Sequence, residues 1–244
     1  MEKKTEYVYS PGLGREMCIK AYGHYGISIL FFPAFTDKCT EIEESGVIDA
    51  LESQIKMGKC KIFCVDSVDS EIWFGESTNT AHTKSELHYK YDGFIEEECM
   101  NYVFAQCGGP IPVITAGASK GAYHAANMFF RRPDIFFGTM ALSGDYDLSH
   151  HTKDYFDDNC YFNSPVHYIP NLNDSYWLTF LYSRRHIYLQ SGSAFDENPQ
   201  NTIRLRDILD NKGIRNQSDI HGADCGHNYI FWNEQFRHLV EKRL

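Results

Sequence analysis

The segment that most constrains the fold of this chain is a serine flanked by glycines, Gly117–Gly121 (Gly-Ala-Ser-Lys-Gly). It directly follows an apolar, β-branched run, Ile111–Ala116, and it directly precedes a helical pattern over Lys120–Arg131. We expect this helix to end ahead of Pro133, because the residue before a proline disfavours the helical conformation. A strand, a sharp turn and a helix in immediate succession are typical of an α/β protein.

Further short apolar runs along the chain have the length and the β-branched or aromatic content of strands that are buried on both faces. These runs are Ile27–Phe32, Lys61–Val65, Thr139–Ser143, His186–Gln190 and Gln217–His221. Ahead of them, Tyr7–Tyr9 and Glu16–Tyr22 predict an antiparallel hairpin around a turn at Ser10–Gly14. Helical patterns lie between the runs, at Ile42–Met57, Lys84–Gln106, Asn201–Asp210 and Asn228–Lys242.

This alternation predicts an α/β protein with a mostly parallel central sheet, an antiparallel N-terminal hairpin and helices on both faces. The order of elements is that of an α/β-hydrolase fold, although taken alone it would fit several doubly wound folds. The length of 244 residues suits one domain covering 1–244. An aromatic-rich stretch at about 145–182 lacks clear periodicity, and we expect it to form an irregular excursion near the active cleft.

Charge and cysteine content exclude several classes of function. The formal net charge of −10 argues against nucleic acid as a partner, since phosphate binding needs clustered Lys and Arg. No apolar run is long enough for a signal peptide or a membrane span, so the sequence predicts a cytoplasmic protein without a membrane partner. The eight cysteines show no zinc-type spacing, and we therefore expect reduced thiols and no metal site.

Ser119 is the candidate nucleophile, because its position at the apex of a strand-to-helix turn would expose its hydroxyl above the sheet. The helix N-terminus and the backbone N–H of Lys120 would stabilise an oxyanion formed there. A second oxyanion donor should be a backbone N–H just after the third strand, where we predict Phe35, with Ala34 as the alternative. The plain alternative for Ser119 is an ordinary capping serine in a glycine-rich turn.

A serine nucleophile needs a base to take its proton and an acid to orient that base. In this fold the partners follow in the order Ser, Asp or Glu, His. The loop after the seventh predicted strand contains Asp196, our prediction for the acid, and Glu197, the alternative. The loop after the eighth contains His227, which we prefer as the base over His221, because His221 belongs to the strand end.

Three aromatic residues are predicted to contact the substrate. Trp73 follows the fourth strand, whose carboxyl end borders the cleft in an open α/β sheet. Tyr123 lies one turn beyond the proposed nucleophile, and Trp177 belongs to the aromatic-rich stretch. The alternative for each is that it fills the core.

Several segments resemble the esterase family related to esterase D, which includes feruloyl, tributyrin and enterochelin esterases and the mycolyltransferases. The resemblance rests on these segments: 117–125, Arg132–Asp134, Ala141–Asp147, Ser10–Arg15, Val65–Asp69, Tyr161–Pro165 and Gly226-His227. It implies an α/β-hydrolase fold and a carboxylic ester hydrolase with Ser119, Asp196 and His227 as its triad. It also implies that the enzyme needs no metal or organic cofactor. The chain departs from esterase D at 191–198, where its loop is short.

The predicted activity is hydrolysis of short acyl or aryl esters of small molecules through an acyl-enzyme intermediate. One alternative is an acyltransferase that uses the same triad and delivers the acyl group to another alcohol. The other is a non-catalytic binding protein with this fold. The predicted partner is therefore a small-molecule ester, and a homo-oligomer is compatible with the sequence.

Overall fold

A computed structural model describes residues 1–244 and contains one eight-stranded sheet. The strands are β1 Lys3–Ser10, β2 Arg15–Tyr22, β3 Ile27–Phe32, β4 Cys60–Val65, β5 Val113–Ala118, β6 Phe136–Leu142, β7 His186–Ser191 and β8 Gln217–Ile220. Their order across the sheet is β1-β2-β4-β3-β5-β6-β7-β8. Pairing is antiparallel for β1 with β2 and for β2 with β4, and parallel elsewhere. The predicted fold class is confirmed.

Eleven α-helices connect or flank these strands. They are α1 Glu41–Glu44, α2 Val47–Lys56, α3 Ala81–Phe94, α4 Met100–Cys107, α5 Lys120–Arg131, α6 Ser149–Thr152, α7 Asp158–Phe162, α8 Pro165–Asn171, α9 Ser175–Ser183, α10 Pro199–Asn211 and α11 Tyr229–Lys242. The bounds of α5 agree with the sequence prediction. A π-helical turn, Ile95–Cys99, joins α3 to α4 within the single helix that the sequence predicts.

Two predicted features differ locally from the structure. The helix predicted over Ile42–Met57 is divided between α1 and α2, because Gly46 has a left-handed backbone with φ of 86°. The excursion predicted to be irregular contains the four short helices α6–α9. Side chains cap the N-termini of two of them, since Asp157 accepts a hydrogen bond from Cys160 N and Asp174 accepts one from Tyr176 N. Helices this short repeat too few times to leave a periodic pattern.

Apolar side chains on both faces of the sheet form two clusters, of 38 and 25 buried residues. Phe32 belongs to the larger cluster and its neighbour Phe31 to the smaller one. Consecutive strand residues point to opposite faces, so a strand covered on both sides supplies both clusters. The parallel strands run in the same direction, so their carboxyl ends lie at the same edge of the sheet. At this edge β5 is followed by α5. None of the helices combines the length and apolar character needed to cross a membrane.

Candidate active site

Ser119 occupies a strained turn between β5 and α5. Its backbone has φ of 52° and ψ of −120°, outside the regions that a serine ordinarily adopts. The strand and the helix approach closely here: a Cβ on Gly117 would lie 2.3 Å from the backbone of Gly121. A Cβ on Gly121 would in turn lie 2.4 Å from the carbonyl oxygen of Phe32. Both glycines are thus required by the packing that presents Ser119 at the carboxyl edge of the sheet.

His227 lies directly against this serine. Its Nε2 is 2.8 Å from Ser119 Oγ, a hydrogen-bonding distance between the two side chains. The residue precedes α11, where Asn228 caps the helix by accepting hydrogen bonds from Ile230 N and Phe231 N. The imidazole also packs edge-on against Trp232, with ring centroids 4.9 Å apart. The loop after β8 therefore holds an imidazole in position to accept the proton of Ser119.

The carboxylate that faces this imidazole belongs to Glu197, and here the structure differs from the sequence-based choice of Asp196. Oε2 of Glu197 lies 3.3 Å from His227 Nδ1, whereas Asp196 Oδ2 accepts a hydrogen bond of 3.1 Å from the backbone N–H of His227. The Glu197 side chain is 1% exposed, and Asp196 is an exposed residue. The two acids are adjacent in a loop, and only the carboxylate of the second faces the ring.

Two serine hydroxyls surround the Glu197 carboxylate. Ser143 Oγ donates to Oε1 over 2.7 Å, and Ser191 Oγ lies 3.4 Å from Oε2. Ser143 follows β6 with φ of 55°, and its Oγ also accepts a hydrogen bond of 3.0 Å from Trp232 Nε1. Buried carboxylates need such donors to stay charged. Ser143 is not among the residues predicted from the sequence, although its place at the carboxyl end of a central strand is a usable signal.

Only one of the two predicted oxyanion donors is available. The N–H of Lys120, the first residue of α5, donates to no other group of the protein. The N–H of Phe35 instead donates to the buried carboxylate of Glu41, as do the N–H groups of Ala34 and Thr36. The prediction of Phe35 therefore does not match the structure, because a charged acceptor collects three successive donors of that loop. The Phe35 ring does lie beside His227, with centroids 6.3 Å apart.

Comparison with known proteins gives structural but not sequence matches. No protein-family model matches the chain, and no curated protein matches it significantly in sequence. A ferulic acid esterase matches with a TM-score of 0.75 and 17% identity over 98% of this chain and 96% of its own. An S-formylglutathione hydrolase from Agrobacterium tumefaciens matches with a TM-score of 0.69 and 12% identity over 98% and 95%. MPT51 from Mycobacterium tuberculosis matches with 0.67 and 14% over 99% and 97%.

This chain has the α/β-hydrolase fold. Esterases are among the structures that share it, as the resemblance seen in the sequence predicted. One fold of this kind hosts many activities, so the chemistry has to be argued from the site itself.

Ser119 lines a small polar cavity of about 180 Å³. Two of its lining residues, Phe74 and Tyr123, are apolar. Apart from Gly144 the others are polar or charged: Ser119, Lys120, Ser143, Asp145, His151, Asp196, Glu197, Asn198, Asn201 and His227. Of the three predicted substrate contacts, Tyr123 lines this cavity. Trp73 is buried elsewhere, with its Nε1 donating to His88 Nδ1 over 3.2 Å, and Trp177 lines a different cavity.

Asp145 supplies a fixed negative charge to the wall of the cavity. Its Oδ2 is 2.9 Å from His150 Nδ1 and 3.3 Å from His151 Nε2. Burial alone would raise the pKa of the Asp145 carboxyl, but the close approach of the two histidines outweighs burial and holds that pKa below its usual value. Asp145 and His151 were not predicted from the sequence as cavity residues, although both follow β6 at the edge that carries Ser119.

Proposed function

We propose that this α/β-hydrolase is a serine carboxylic ester hydrolase with Ser119 as nucleophile, His227 as base and Glu197 as acid. The observation that carries the proposal is the 2.8 Å approach of His227 Nε2 to Ser119 Oγ on a strained turn at a helix N-terminus. A serine hydroxyl becomes a strong nucleophile only when such a base takes its proton. The alternative of a capping serine accounts for neither the strained backbone nor the aligned histidine.

The proposed reaction proceeds in two steps. Ser119 attacks the ester carbonyl while His227 accepts its proton, and Glu197 orients the ring and stabilises the imidazolium. The developing oxyanion accepts a hydrogen bond from the N–H of Lys120 and is favoured by the positive end of the α5 dipole. His227 then protonates the leaving alcohol, and a water molecule activated by the same base releases the acid from Ser119.

The cavity favours a short acyl group over an aryl one. Its volume of about 180 Å³ is below the roughly 300–1,000 Å³ of pockets that hold drug-sized ligands. Tyr123 and Phe74 provide the apolar surface, with ring centroids 5.2 Å apart. We therefore propose that Tyr123 contacts the acyl group of a small-molecule ester.

The test is hydrolysis of p-nitrophenyl acetate and p-nitrophenyl butyrate by the native chain and by Ser119→Ala. Loss of turnover in a folded Ser119→Ala variant, by a factor of about 10³ or more, is the expected result. Methyl ferulate, assayed alongside, reports on the acyl group, and the size of the cavity predicts a lower kcat/KM for it. Equal turnover by native and variant chains, or none by either, would contradict the proposed nucleophile.

A further inference from the structure

A second and larger cavity, of about 580 Å³, lies at the other end of α5 from Ser119. Phe130 and Arg131, in the last turn of the helix, form part of its wall. Phe130 is eleven positions after Ser119 in the sequence. At a helix rise of about 1.5 Å per residue, the two sites are roughly 16 Å apart. The two cavities have no lining residue in common. A ligand bound here would not need to reach the nucleophile.

Aromatic side chains border this second cavity and leave much of their surface in water. Tyr89 is 59% exposed and Phe162 is 56% exposed. Trp177 is partly exposed and packs edge-on against Tyr176, with ring centroids 4.9 Å apart. Tyr161 and Tyr168 complete the aromatic lining. Exposed apolar surface grouped around a concavity marks a place where a ligand packs its own apolar faces.

Amide groups between these rings retain free hydrogen-bonding atoms. Asn159 and Asn171 donate from Nδ2 to protein partners, Ser85 Oγ and Tyr161 Oη respectively, and their Oδ1 atoms accept no hydrogen bond. Oε1 of Glu96 is buried and pairs with Arg131 Nη2 over 3.8 Å, so it is not one of these free acceptors. Acceptors without protein partners are ordinarily satisfied by water or by a ligand. The cavity therefore offers acceptors for hydroxyl donors.

Both arginines in the cavity wall are paired with carboxylates. Arg131 pairs with Asp92, and Arg132 pairs with Glu96 over 2.6 Å and with Asp134 over 2.8 Å. A site for phosphate or another anion needs guanidinium donors that are free to bind it. Both arginines are committed to carboxylates, so the wall suits an uncharged ligand.

We propose that this cavity is a binding site for a neutral carbohydrate, separate from the proposed catalytic centre. A sugar ring presents apolar C–H faces that pack on aromatic rings and a rim of hydroxyls that donate to amide and carboxylate oxygens. A lipid chain would leave the acceptors of Asn159 and Asn171 unsatisfied, and a nucleotide would lack a free cation for its phosphates. The combination of aromatic rings, free acceptors and paired arginines thus selects the ligand class.

The experiment is affinity electrophoresis in native gels that contain soluble xylan, galactomannan, mixed-linkage β-glucan or starch. The protein carries Ser119→Ala, so that binding is read without turnover and does not depend on the proposed hydrolytic activity. We expect at least one neutral polysaccharide to retard the protein. A second substitution, Trp177→Ala, should raise the Kd about tenfold, because it removes an aromatic face on which a sugar ring would pack.

Tyr182→Ala is the matched control, because Tyr182 is an exposed aromatic of the same helix that does not line the cavity. Phe162→Ala is a second test variant, and its exposed side chain can be removed with little risk to folding. Absence of retardation in all four gels would overturn the proposal. So would retardation that Trp177→Ala and Phe162→Ala leave unchanged, or binding to heparin with none to the neutral polymers.

Discussion

The hydroxyl of Ser143 donates a 2.7 Å hydrogen bond to Glu197, which ties the end of β6 to the loop after β7. The same hydroxyl accepts the indole N–H of Trp232 on α11 over 3.0 Å. Ser143 thereby connects the proposed acid to the helix that follows His227. Its left-handed backbone, with φ of 55°, shows that the fold accepts local strain to place this hydroxyl.

Ser143→Ala is expected to lower kcat about tenfold and leave KM nearly unchanged. A hydrogen bond to a charged group is worth about 1.5–3 kcal/mol, and its loss would weaken the orientation of His227 by Glu197. Steady-state kinetics on p-nitrophenyl acetate measure the effect. Ser191→Ala is the control with a smaller effect, because Ser191 Oγ lies 3.4 Å from Glu197.

A double-mutant cycle separates positioning from general structural damage. If Ser143 acts through Glu197, adding Ser143→Ala to a Glu197→Ala chain should cost little further kcat. Fully additive losses would show instead that Ser143 supports the site by another route.

Glu197→Gln and Asp196→Asn form a matched pair that decides the acid of the proposed triad. Glu197→Gln should lower kcat by about 10³–10⁴, the size of effect known for a triad acid replaced by its amide. Asp196→Asn should stay within about threefold of the native kcat, since an amide oxygen can still accept the backbone N–H of His227. The reverse ranking in p-nitrophenyl acetate assays would return the assignment to Asp196.

Gly117→Ala should destabilise the fold by about 1–3 kcal/mol, because the new Cβ would lie 2.3 Å from the Gly121 backbone. Gly93→Ala is the matched control. Gly93 is inside α3 with no atom within 4 Å of an added Cβ, so this change should stabilise by up to about 1 kcal/mol. Urea unfolding monitored by circular dichroism measures both. Equal stabilities would contradict the close strand–helix approach at Gly117.

His88 makes stability depend on pH. Burial, reinforced by Arg131 and opposed by Asp92, lowers the pKa of His88 from 6.5 to about 4. Between these values the unfolded chain binds a proton that the folded chain does not, so stability falls as pH drops from 6.5 to 4. The loss from this group is about 3 kcal/mol.

His88→Gln should flatten this part of the pH profile, since glutamine does not titrate and its amide oxygen can still accept from Trp73 Nε1. The measurement is the free energy of urea unfolding at pH 7, 5.5 and 4.5 for both chains. His82→Gln is the control, because His82 is exposed on the same helix. A native profile that His88→Gln leaves unchanged would contradict a neutral His88 in the fold.

The sequence was sufficient for features that depend on short stretches of chain. Apolar runs predict the central strands because a strand covered on both faces must be apolar throughout. The motif at Gly117–Gly121 predicts the turn that carries Ser119, since a Cβ on Gly117 would collide with the backbone of Gly121 within the same five residues. Helical periodicity predicts α5 and α11, and hence the position of His227 directly ahead of the latter.

Tertiary structure decided the matters that depend on distant residues. Asp196 and Glu197 are equivalent in sequence, and only the packing of Ser143 and Trp232 turns Glu197 toward His227. The sequence does not show that the N–H of Phe35 has an acceptor, but α1 places the Glu41 carboxylate within hydrogen-bonding distance of it. The partners of Glu197 are distant in sequence, so local sequence could not identify them. Glu41 is close to Phe35 in sequence, but its contact depends on how the chain folds back at α1.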